Sequence, residues 1–118
     1  MKTSDIFIAP IKKTITFLIG ESARDNEAVI DLAKGNDIWF HIDQGKSSAH
    51  VVACIPDDLD RKDKKYIIKQ GAVLCKQVSK YKSEKCVPII YARIKDVEKT
   101  NIPGTVVIKE GQTGTLSI

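Results

Sequence analysis

Apolar residues alternate at Ile38, Phe40 and Ile42, and again at Ala49, Val51 and Ala53. A period of two is the mark of a half-buried strand pair. Residues 37–43 and 49–55 therefore read as a β-hairpin joined by a Gln44–Ser47 loop. Upstream, residues 5–9 and 14–19 read as strands separated by Pro10-Ile11-Lys12-Lys13, with Gly20 ending the second. Ser22-Ala23-Arg24-Asp25 has the form of a capping box. It opens a helix from about Ala23 to Lys34, with Ala28, Val29, Leu32 and Ala33 on one face and Gly35 as its stop. Pro56-Asp57-Asp58 is a turn that starts a second helix, from about Leu59 to Tyr81. Val87–Ala92 reads as a strand, with Pro88 at its start or on a sheet edge. A charged connection, Ile94–Thr100, and a Pro103-Gly104 turn lead to a strand at Thr105–Ile108. After a turn at Glu110–Gly114, Leu116–Ile118 closes the chain as a strand. The order β-β-α-β-β-α-β-β-β predicts a single α+β domain, an antiparallel or mixed sheet with two helices packed on it.

At 118 residues the chain is long enough for one core without disulfide or metal staples. No apolar run approaches membrane-spanning length, and Lys12 and Lys13 break the N-terminal alternation, so no signal peptide is expected. Cys54, Cys75 and Cys86 are odd in number, widely spaced and lack a C-x-x-C. They predict reduced thiols, a cytosolic or nuclear location and no structural zinc. The net charge of +4 is divided unevenly. Residues 1–60 carry six basic and ten acidic side chains, whereas residues 61–118 carry thirteen basic and five acidic ones. The second helix concentrates the excess. At 100° per residue, Ile67, Gly71, Leu74, Cys75 and Val78 gather on one side, and Lys62, Lys65, Lys69, Lys76 and Lys80 gather on the other. Lys64 and Lys82 fall on the apolar side near the helix ends, where snorkelling would accommodate them. A lysine stripe of this kind fits a polyanion.

The hairpin carries the candidate chemistry. In its simplest register His41 faces His50, and Trp39, His41 and Asp43 point away from the core as one exposed patch. Trp39 is either core or a platform on which an unpaired base stacks. The two imidazoles beside Ser47 and Ser48 suit acid–base work on a phosphodiester, or serve to hold the hairpin turn by hydrogen bonding. No nucleophile, metal set or phosphate-cradling glycine loop accompanies them, so no catalytic residue, metal ligand or cofactor is assigned.

Asn26, D-I-W-F-H at 37–41, S-S-A-H-V at 47–51, K-D-V-E-K at 95–99 and P-G-T-V at 103–106, with the long second helix, resemble the signature of the NFACT-R domain family. The S-S-A-H form is similar to that of the stand-alone, coiled-coil-domain-containing members. The resemblance implies an RNA-binding module. In multidomain relatives it accompanies helix–hairpin–helix and coiled-coil segments, in ribosome-associated quality control on the large subunit with transfer RNA. None of those segments is in this sequence, so only the nucleic-acid-binding role is carried over. The resulting expectation is a cytoplasmic, non-enzymatic protein that binds transfer or ribosomal RNA, with the large ribosomal subunit a further candidate partner. Lys62, Lys65, Lys69, Lys76, Lys80, Lys95 and Lys99 would contact phosphates. Trp39, His41, Ser48 and His50 would form the recognition patch. DNA binding, a metal-independent phosphodiesterase using His41 and His50, and a ribosome-docking adaptor stay open as alternatives.

Overall fold

The alternating hairpin forms the middle of the sheet. In the computed structural model, which describes residues 1–43 and 49–118, β3 (Ile38–Ile42) and β4 (His50–Ala53) pair antiparallel, with Phe40 opposite Val51. The loop expected at Gln44–Ser47 lies outside the described residues. On one side β4 pairs with β2 (Lys13–Gly20), which pairs with β1 (Lys2–Ile8). On the other, β3 pairs with β5 (Pro88–Arg93), which pairs with β8 (Gly114–Ser117). The six-stranded sheet runs β1-β2-β4-β3-β5-β8 and every pairing is antiparallel. Pro88 is the first residue of its strand, where its missing N–H removes no interior ladder bond.

The expected connection at 94–100 is in fact a 3-10 turn, Ile94–Asp96, followed by a short strand. This strand, β6 (Val97–Lys99), pairs with β7 (Val106–Ile108) as a separate two-stranded ribbon. Three residues rich in charge, V-E-K, gave no alternation long enough to read.

Helix α1 (Ala23–Leu32) starts as its cap dictates, with the Asp25 N–H donating to Ser22 Oγ at 3.1 Å. It stops short of Lys34 because the Lys34 N–H donates instead to the Asp37 carboxylate at 2.8 Å. Helix α2 (Lys64–Gln77) is shorter at both ends than its periodicity implied. Asp60 accepts the Lys62 N–H at 3.1 Å and sets a 3-10 turn, Arg61–Asp63, in front of it. Behind it, the Ser79 hydroxyl donates to the Lys76 carbonyl at 2.7 Å and accepts from the Tyr81 N–H at 3.1 Å. Side-chain bonds of that type compete with a helical ladder and end it.

The helices lie on opposite faces. Ile67, Ala72, Leu74 and Cys75 of α2 pack with Ile38, Phe40, Val51, Phe17 and Ile89. Val29 and Ile30 of α1 pack with Trp39, Val52, Ala92, Ile94 and Val97. The central strands β3 and β4 are thus covered on both faces, not half-buried, and most of the patch expected to be exposed lies under α1 and the ribbon. Two glycines set how closely the helices approach. A Cβ on Gly71 would run into the Phe40 ring, and one on Gly20 would meet Asn26.

Candidate nucleic-acid interface

The three rings of the hairpin form one cluster on the α1 face. Trp39 and His41, two residues apart on β3, stack at 5.6 Å and 12° between planes. His50, which follows the register to lie across from His41, meets it edge-on at 4.7 Å and meets Trp39 edge-on at 5.2 Å. The expected proximity of the two imidazoles therefore holds. Their expected exposure does not. Trp39 and His50 are 1% and 2% exposed, and only His41 is half open. The structure thus places Trp39 in the core rather than on a free platform. Ser48 lies outside the described residues.

Above these rings is a cleft of about 670 Å³, with Trp39, His41, His50 and Ile90 at its base. Its walls are the start of α1, through Ser22, Ala23 and Asn26, and the ribbon turn, through Pro103, Gly104 and Val106. Gly104, at φ +81°, brings the turn against Ala23, where a Cβ would clash. Among the described residues no lysine or arginine lines the cleft. Its base carries two buried ring nitrogens, Trp39 Nε1 and His50 Nδ1, with no hydrogen-bond partner among the described residues. Each such orphan costs about 1–3 kcal/mol.

Burial pushes the His50 pKa down to about 3, and the neighbouring His41 adds to the shift. His50 is therefore neutral throughout the physiological range and offers no proton as a general acid near pH 7. Its backbone N–H donates to Asn26 Oδ1 at 3.1 Å, which ties α1 to β4. Among the described residues, no group of three or more histidine, cysteine or carboxylate side chains is arranged to hold a metal ion.

The lysines do not form one stripe. Lys65 and Lys69 are exposed on α2, on the sheet face opposite the ring cluster. Lys62 sits in the 3-10 turn, 3.8 Å from Asp60, and Lys80 lies beyond the helix against the Tyr81 ring. Lys76 is half-buried and its ammonium donates to the Ile118 carbonyl at 2.9 Å, so it fastens the chain end to α2. Lys95 is exposed in the turn before β6. Lys99 is on the α1 side, paired with Asp31 at 2.6 Å, and that contact raises its pKa.

Residues 6–115 match the NFACT protein RNA-binding domain. The chain belongs to this family. No curated protein matches it. Among solved structures it is similar to the C-terminal part of the fibronectin/fibrinogen-binding protein from Streptococcus suis, with 24% identity and a TM-score of 0.77. That alignment covers all of this chain and 45% of the other, so this chain spans less than half of that protein's resolved length, and the likeness concerns the fold.

In this NFACT RNA-binding domain the signature residues divide into two kinds. Asp37 and Phe40 are architectural. The Asp37 carboxylate accepts the Lys34 and Ile55 N–H groups, both at 2.8 Å, and Phe40 fills the space left by Gly71. Asn26, Trp39, His41, His50, Pro103 and Gly104 all converge on the cleft. Sequence reasoning missed a further basic group. Arg61, Lys64 and Arg93 line a depression of about 220 Å³ beside Asn36. Lys64 is half-buried there, and its pKa is lowered by burial and by Arg93, Arg61 and Lys95. Its position on the apolar side of the helical wheel was the available signal.

Proposed function

We propose that this protein binds structured RNA, with transfer RNA the leading candidate, through the basic surface of α2 and the turns that flank it. Lys62, Lys65, Lys69 and Lys80, with Arg61, Lys64, Arg93 and Lys95, supply the phosphate contacts. The observation that carries the reading is this concentration of cations, six of the eight exposed, in a chain of an RNA-binding family. Phosphate contacts give affinity without reading sequence, and each releases counterions on binding. The recognition patch of Trp39, His41 and His50 then supplies local selectivity from the opposite face. The large ribosomal subunit is the assembly on which such a module would meet transfer RNA, in the cytoplasm. The role we infer is binding rather than catalysis: a His50 whose pKa is pushed down to about 3 is no acid and only a weak base near pH 7.

Fluorescence anisotropy of a labelled transfer RNA across a salt series tests this. Lys65→Glu with Lys69→Glu should weaken binding and reduce the magnitude of the log K against log [salt] slope by roughly 2. Lys76 is left in place because it fastens the chain end. Unchanged affinity and slope would overturn the reading. A DNA hairpin of the same sequence binding equally well would shift the assignment to DNA, because the 2′-hydroxyl separates the two polymers.

A further inference from the structure

The cleft on the α1 face differs in kind from the basic surface on α2. A phosphate site needs cations or free backbone donors. Among the described residues no lysine or arginine lines the cleft, and Glu21 stands at its rim. At the helix start that borders it, the N–H groups of Asp25 and Asn26 are already taken by Ser22. Ser22 Oγ accepts the Asp25 N–H, and the Asp25 carboxylate is 2.8 Å from the Met1 ammonium. Burial keeps the His50 ring uncharged. The described lining therefore favours a neutral ligand over an anion.

What the cleft offers is aromatic and neutral. The half-open His41 ring continues the Trp39 stack, and His50 stands across it as an edge. Trp39 Nε1 is a donor, and neutral His50 pairs one donor nitrogen with one acceptor. Those are the complements of a heteroaromatic ring that carries both kinds of group on its rim. The volume of about 670 Å³ lies within the roughly 300–1,000 Å³ typical of small-ligand sites. It accommodates one base with its sugar but no length of duplex.

We propose that this cleft receives a single unpaired nucleobase, stacked on His41 between the start of α1 and the β6–β7 ribbon, with its polar edge toward Trp39 and His50. This rests on the RNA-binding reading for the source of the base, while the site itself is defined by the cleft. The arrangement divides recognition between the faces of the sheet. Phosphates bind on α2, and one flipped-out or terminal base enters on the α1 side. A fully paired helix satisfies only the first.

Trp39 is the chain's only tryptophan and lies at the base of the cleft, so its fluorescence reports occupancy directly. Adenosine, guanosine, cytidine and uridine should be titrated in turn, with inorganic phosphate as the control. At least one nucleoside should quench Trp39 saturably, and phosphate should not. A hairpin RNA with an abasic nucleotide in place of its bound base should bind roughly 5- to 150-fold more weakly than the parent. His41→Ala should abolish nucleoside quenching, and His41→Phe, which keeps a stacking face, should retain it. Lys65→Glu with Lys69→Glu should leave nucleoside quenching unchanged. If the RNA binds normally while no nucleoside quenches Trp39 and His41→Ala is without effect, the nucleobase proposal falls and RNA binding stands. If nucleosides bind but RNA is not retained, the RNA reading falls and the cleft remains a nucleoside site. Quenching by phosphate alone would overturn the nucleobase assignment.

Discussion

His50 is the residue whose environment departs furthest from its sequence context. An ordinary histidine has a pKa near 6.5, whereas burial under α1 brings this one to about 3. Between these values the unfolded chain takes up a proton that the folded chain refuses. The stabilising contribution is therefore complete above pH 6.5 and is lost as pH falls toward 3, at about 1.4 kcal/mol per pH unit. Urea midpoints at pH 7.5, 6 and 5 should fall more steeply for the native protein than for His50→Gln, with a difference of about 2 kcal/mol between pH 7.5 and 5. The His50 ring protons should show no titration above pH 4.5, and a midpoint near 6.5 would contradict its buried, neutral state. Asp37 illustrates the opposite outcome. In a motif it looks functional, yet both of its carboxylate oxygens are occupied by backbone N–H groups of Lys34 and Ile55.

At the scale of elements, the contact between α2 and β3 sets the tolerance of the fold. Gly71 weakens a helix interior by about 0.5–1 kcal/mol relative to alanine. A Cβ there meets the Phe40 ring, however, and overpacking costs about 1–3 kcal/mol. The second effect wins, so Gly71→Ala should lower the melting temperature by roughly 5–10 °C. Gly35→Ala is the control, because its Cβ would stand 3.7 Å from Lys95 Cβ, an ordinary contact. Equal melting temperatures for both variants would show that α2 can shift away from the sheet. The ends of α2 carry a second lesson. Hydrophobic periodicity continues past Gln77, but Val78 is 40% exposed because the hydrogen bonds of Ser79 turn the chain there.

For the whole molecule, the sheet separates the two proposed contact surfaces. Lys65 and Lys69 lie on one side, and His41 lies on the other. Sites so far apart with no shared partners act additively, to within about 0.5 kcal/mol. Combining Lys65→Glu and Lys69→Glu with His41→Ala should therefore reduce transfer RNA affinity by the product of the separate fold-changes. A markedly smaller loss in anisotropy titrations would mean that the two surfaces do not act in the same bound state.

Much of this was legible in the sequence. The period-two pattern of Ile38, Phe40 and Ile42 set the hairpin and its register, because a slip of one residue would exchange the two faces. Ser22 and Asp25 set the start of α1, and the lysines of residues 61–118 set the charge asymmetry. Other features depended on contacts between segments distant in sequence. Alternation says which residues share a face, but not what covers it. Unbroken apolar runs at Phe17-Leu18-Ile19, Val51-Val52-Ala53 and Ile89-Ile90 were the sign that both faces are buried. The side chains of Lys76 and Lys99 acquire their roles only because Ile118 and Asp31 lie beside them. The cleft likewise forms only where α1, β3 and the ribbon meet, since local pattern encodes faces and ends whereas tertiary packing decides which faces are closed.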